Sequence, residues 1–163
     1  MKKLTILLAV AFLATTCFAS SKSKANKDTQ EWRYEIECVG TGSAGTYLVK
    51  VWSYSKKQAT ATNQAVKNAV HGVLFKGIPG GNGCASQRPI ASNPAIEYDR
   101  ADFFERFFAD GGDFQKYGSA SGVPEIMKVG KEYKVGVVVS VYKDNLRKNL
   151  EQAGVIKGLG SGF

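Results

Sequence analysis

Histidine occurs once in this chain of 163 residues, cysteine three times, and methionine and tryptophan twice each. So few imidazole and thiol donors cannot build a zinc site, which draws on several His or Cys ligands, and the reading is that the chain holds no metal. Long apolar runs are also missing. Leu4–Leu13 is well short of the about 20 residues that a spanning helix needs, and no later segment comes close, so no transmembrane span is expected in the mature chain. Acidic residues are outnumbered 14 to 22 by lysine and arginine, for a formal charge of +8.

What is present at the N-terminus sets the expected compartment. Lys2 and Lys3 precede the apolar run, and Cys17-Phe18-Ala19 follows it, the order of a secretory signal peptide over residues 1–19 cut after Ala19. The expected location is therefore the periplasm or cell envelope. Leu13-Ala14-Thr15-Thr16-Cys17 approximates a lipobox, so anchoring through Cys17 is the alternative, with Thr16 where a small residue is preferred. Removing 19 of the 163 residues leaves 144, suited to one core, and lowers the charge to +6. Residues 20–30, rich in Ser, Lys and Asn, read as a flexible polar linker, residues 31–154 as a single domain and 155–163 as a glycine-rich tail. The remaining lysines are spread along the chain and read as a solvated surface. Export argues against nucleic acid as a partner.

Gly40, Gly42 and Gly45 spell G-x-G-x-x-G, the spacing of a dinucleotide-binding turn. That motif works only between a strand and a helix whose N-terminal amides hold the pyrophosphate. Here Trp32–Val39, alternating Trp32, Tyr34, Ile36 and Cys38 against Arg33, Glu35 and Glu37, is a strand, but Thr46–Tyr54 is β-branched and aromatic and reads as another. The glycines therefore belong to a hairpin loop, and no cofactor is expected.

A helix is expected next, with Ser55-Lys56-Lys57-Gln58 as a capping box and Gly77 and Pro79 as its stop. Ala65, Val66, Ala69, Val70, Val73 and Leu74 form its apolar face, which places Gln64, Lys67, Asn68 and His71 toward solvent. Residues 77–94 lack periodicity and read as a long loop containing Cys84. Asp99 is the expected cap of a short helix with Phe103, Phe104, Phe107 and Phe108 on one face, ended by Gly111. Glu125–Val129 and Glu132–Tyr142 flank the Gly130-Lys131 turn of a hairpin, and Tyr133, Val135, Val137, Val139 and Val141 share its buried face. Asp144 starts a last helix with the stripe Leu146, Leu150 and Ala153. The order β-β-α-α-β-β-α predicts an α+β fold, a mostly antiparallel sheet of about four strands with helices on one face.

Candidate chemistry is sparse. Cys84 with His71 is the available nucleophile–base pair, but Cys38 and Cys84 are the two mature cysteines of an exported chain and are expected to form a disulfide. Glu97, Asp99, Asp102 and Glu105 offer carboxylates for glycan hydrolysis, yet capping and pairing with Arg100 and Arg106 explain them without catalysis. No catalytic residue is assigned. Trp52 and Tyr54 are candidate partner contacts if the outer face of their strand is bare, and Arg88 is a forked donor on the long loop.

The β-β-α order with an alanine-rich helix over residues 31–75, together with the export signal, resembles the small periplasmic modules of bacterial envelope lipoproteins and of flagellar or secretion accessory proteins. The resemblance implies a non-enzymatic module that binds envelope components, and it carries no active-site residue with it. The expected function is thus binding or assembly in the envelope, with an envelope protein or glycan as partner, acting through the 77–95 loop and the neighbouring strand edge. The alternative is a carbohydrate- or peptidoglycan-directed binder or hydrolase.

Overall fold

The computed structural model describes residues 32–158; the expected signal peptide, Cys17, the linker 20–30 and the end of the tail lie outside the described residues. Four strands, β1 (Tyr34–Thr41), β2 (Tyr47–Ser55), β3 (Gly118–Val129) and β4 (Glu132–Val141), form one antiparallel sheet in the order β1-β2-β4-β3. Between β2 and β3 the chain forms helix α1 (Gln58–His71), a π turn (Gly72–Lys76), two short helices, α2 (Ile96–Asp99) and α3 (Ala101–Phe107), and a 3-10 turn (Asp113–Tyr117). Helix α4 (Lys143–Gln152) follows β4. The α+β layout expected from the element order is the one observed.

Register explains the core. Tyr34, Ser53 and Val135 align across β1, β2 and β4, as do Ile36, Val51 and Val137, and then Cys38, Val49 and Val139. Because side chains alternate with period two, these rows occupy one face. Helix α1 packs on β2, β4 and β3 from that side, with Ala61, Ala65, Ala69 and Val70 wholly buried. Leu146 and Leu150 of α4 and Phe104, Phe107 and Phe108 close the same core. Helix α4 ends in a Schellman motif, with Gly154 at φ +64, its N–H on the Glu151 carbonyl and the Val155 N–H on that of Leu150. This turn buries Val155, whereas Ala153, expected in the stripe, is exposed.

The glycine fingerprint joins β1 to β2 as a hairpin. Thr46 N–H donates to the Ser43 carbonyl, Gly45 has φ +78, and a Cβ there would fall 2.8 Å from the Asp144 carboxylate. Four local expectations differ. Trp32 lies before the strand, in a turn at φ 45. Ser55 ends β2, is buried, and accepts from the Lys57 N–H instead of capping α1. Asp99 ends α2 and does not cap α3, because the chain breaks helix at Arg100 (φ −121, ψ 36). Strand β3 begins at Gly118, well before Glu125, and passes a register shift between Ser121 and Glu125.

Leu150 is fully buried. Leu150→Ala is expected to lower unfolding free energy by about 2–5 kcal/mol, through lost transfer energy and the cavity left behind, measured by urea denaturation. A loss under about 1 kcal/mol would contradict this placement.

Candidate functional site

The sheet face opposite the helices is built from alternate residues of all four strands: Glu35, Glu37, Lys50, Trp52, Tyr54, Glu125, Lys134 and Gly136. Trp52 is paired with Gly136, where an added Cβ would come within 2.6 Å of the indole, so the ring lies across bare backbone. The indole N–H donates to Glu37 at 2.9 Å, and the Lys50 and Lys134 ammonium groups stand 4.6 and 5.2 Å from a ring centroid of the indole. Lys134 donates to Glu35 at 2.7 Å, Tyr54 donates to the other oxygen of that carboxylate, and Lys50 pairs with Glu125. The hydrogen bond from Lys134 is the main cause holding the Glu35 carboxyl below its usual range, and the reciprocal bond raises Lys134. Trp52 and Tyr54, the candidate contacts, are thus half-buried in a lattice of cross-strand ion pairs.

The long loop is more ordered than its composition implies. Ile78 pairs with Gln87 and Gly81 with Cys84, making a small hairpin whose tip, Asn82 at φ 51 and Gly83 at φ 78, has the two positive φ angles of a type I′ turn. It is fastened to β1 by the Cys38–Cys84 disulfide (S–S 2.04 Å, Cα–Cα 6.3 Å) and by the Asn82 side-chain amide donating to the Cys38 carbonyl at 3.1 Å. Tyr47 of β2 donates to Gln87 at 2.9 Å. Arg88 is exposed on the returning arm. The expected disulfide is present, and it removes Cys84 as a nucleophile.

At the opposite edge, no described strand lies beyond β3. Six large apolar side chains are strongly exposed among the described residues, and four of them, Val123, Ile126, Met127 and Val129, are on this strand. Val123, 92% exposed, sits in the register shift beside Gly122 (φ +76) and Pro124. A surface depression of about 360 Å³ near α2 and α3 is lined by Tyr98, Asp99, Arg100, Asp102, Phe103 and Arg106, with Arg100 also donating to the Gly154 carbonyl.

His71 departs furthest from expectation. It is 2% exposed, not solvated. Its Nδ1 lies 2.6 Å from the Tyr34 hydroxyl of β1, its Nε2 lies 3.0 Å from Glu97 of α2, and Phe75 and Phe108 flank the ring. Gln64 and Asn68, assigned to the same outer face, are buried too, and Asn68 donates to Ser53 at 2.8 Å. The three polar residues, spaced four and three apart, form a second buried stripe on α1 that hydrophobicity alone does not mark. Burial holds His71 below its ordinary value, opposed by Glu97, and pushes the Tyr34 phenol far up. Gly72 makes room for this packing, since a Cβ there would meet Ile36 at 2.9 Å and Tyr34 at 3.3 Å.

No protein-family model, curated protein sequence or solved structure matches the chain.

The disulfide spans 46 residues, for which the chain-entropy model gives about 4 kcal/mol of stabilisation. Replacing both cysteines by alanine is expected to lower stability by about 2–4 kcal/mol in guanidinium unfolding and to increase hydrogen exchange across residues 78–87. An unchanged midpoint would show that the hairpin is held by its other contacts alone.

Proposed function

We propose that the chain is an exported, non-enzymatic bacterial envelope protein, a binding or assembly module that receives an extended segment of a protein partner along the edge of β3. The observation that carries this reading is the concentration of exposed apolar side chains on that one strand. An unpaired strand edge offers main-chain donors and acceptors, and side chains alternating about it supply selectivity. On β3, Ile126 and Met127 lie on opposite faces, so an added strand would meet an apolar contact on each. Pro124 and the register shift limit pairing to the Glu125–Val129 stretch, and Lys128 and Lys131 discourage open-ended aggregation. The pinned hairpin of the 77–95 loop, with Arg88 exposed, is a second, preorganised surface at the far edge of the sheet, where ordering costs on association are small.

A carbohydrate- or peptidoglycan-directed binder is the second reading, favoured by the helix-free face that presents Trp52 and Tyr54. Stacking a sugar on Trp52 would require Lys50 and Lys134 to leave the ring and their carboxylates.

Two measurements in the same cells separate these readings. A photo-crosslinking amino acid at position 127 is expected to give a discrete protein adduct that falls at least about tenfold, the equivalent of 1.4 kcal/mol, when Ile126→Lys is added. The same probe at position 88 tests the hairpin surface. Adducts from position 88 alone would move the site to the loop, whereas co-sedimentation with purified sacculi that is lost in Trp52→Ala would favour the glycan reading.

A further inference from the structure

We infer that Tyr34, His71 and Glu97 form an acid-sensitive latch that holds α2, and with it the end of the 77–95 loop, against β1 and α1. The inference is independent of the proposed function. It starts from connectivity: one imidazole on α1 joins a residue 37 positions earlier to one 26 positions later. The bond from His71 is thus a tether for the four-residue helix α2, in which no residue is buried.

The chemistry of the three groups admits one arrangement for the neutral ring. A carboxylate only accepts, so Nε2 carries the proton and donates it to Glu97, while Nδ1 accepts from the Tyr34 hydroxyl. Both contacts are then satisfied. Protonation places a second proton on Nδ1, which must donate to the Tyr34 oxygen, and the phenolic proton must turn away from the ring. The 2.6 Å contact no longer runs in its native direction.

The surroundings decide whether the added charge is tolerated. Glu97 from α2 faces it favourably. Against it stand the Lys76 ammonium of the π turn, 3.9 Å from the centre of the Tyr34 ring, and Lys67 of α1, while Phe75 and Phe108 exclude water from the ring. Burial is the largest effect and depresses the His71 pKa despite Glu97. The sign follows from linkage. With the folded-state value below the unfolded value of about 6.5, the stabilisation is fully present above pH 6.5 and is lost as pH falls through the folded-state value. The proton is taken up more readily when the latch opens, so acid favours the open form. No residue of the four-residue α2 is fully buried, so apolar packing does little to resist its release.

The chain has a single histidine, so its ring resonances report the titration without ambiguity. The test pairs that NMR titration with hydrogen exchange, corrected for intrinsic rate, of the full protein between pH 7.5 and 4.5. Protection across residues 95–100 is expected to fall at least about tenfold, the equivalent of 1.4 kcal/mol, with a midpoint that tracks the His71 titration, while the β2–β4 centre stays protected. Glu97→Gln keeps an acceptor for the neutral ring but removes the charge that favours the cation, so both midpoints are expected to move together to lower pH. Protection of 95–100 that is insensitive to pH, a uniform loss across the sheet, or Glu97→Gln midpoints that stay in place or rise would each overturn the latch.

Discussion

Helix α1 lying on the valine layer of β2 and β4 is the contact on which the remainder of the structure depends. Ala61, Ala65 and Ala69 present methyl groups to the sheet beside the buried Asn68–Ser53 hydrogen bond, and the layer beneath them is Val49, Val51, Val135, Val137 and Val139, all buried. Small residues on the helix allow a close approach, and β-branched residues on the strands suit the pleated surface. The other helical elements complete the same side, with Leu146, Leu150 and the phenylalanine cluster filling the core around this contact. A sheet covered from one side must then solve two problems on its own: an opposite face in water, and two edges.

The solutions differ, and the difference directs attention to function. The outer face is made compatible with water by polar pairs that reach across the sheet: Glu35 of β1 with Lys134 of β4 and Lys50 of β2 with Glu125 of β3, each across one intervening strand, and Glu37 with the Trp52 indole on the adjacent strand. Exposed ion pairs of this kind add little stability individually, but they hold Trp52 down over Gly136 and leave few side chains on that face unengaged. Edge strand β1 is bound to the Cys84 hairpin, covalently and through Asn82. Edge strand β3 has only a proline, a register shift and lysines as safeguards, and it keeps its apolar side chains exposed. That asymmetry is the physical basis for proposing β3 as a docking edge.

Much of this was legible from the residues alone. The alternation of Val135, Val137, Val139 and Val141 with polar neighbours specified β4, and Gly130 specified its turn because the chain there needs positive φ. The disulfide followed from having two cysteines in the expected mature chain. Strand β3 was half legible, since Gly118, Gly122 and Pro124 have weak strand propensity; Gly118–Ser121 joins the sheet through pairing with β4, and Gly122 and Pro124 fall in the register shift. The loop hairpin did carry a signal in Asn82-Gly83, but no alternating pattern flanks it, and the disulfide and Asn82 supply the missing support. His71, Asn68 and Gln64 were placed on the wrong side of α1 because hydrophobicity ranks them as surface residues. The burial of His71 and Asn68 is made possible by partners distant in sequence, Tyr34, Ser53 and Glu97, which no local window contains.

Residue-resolved amide exchange along β3 tests the central claim, that this edge is open and is where a partner strand adds. In the isolated full chain at low concentration, amides of Glu125–Val129 that point away from β4 are predicted to exchange near their intrinsic rates, alternating with protected amides that point toward it. Addition of the protein captured from position 127 is predicted to protect the exchanging set and leave residues 78–87 unchanged. Uniform protection of β3 in the isolated chain, or partner-induced protection confined to the hairpin, would contradict the account.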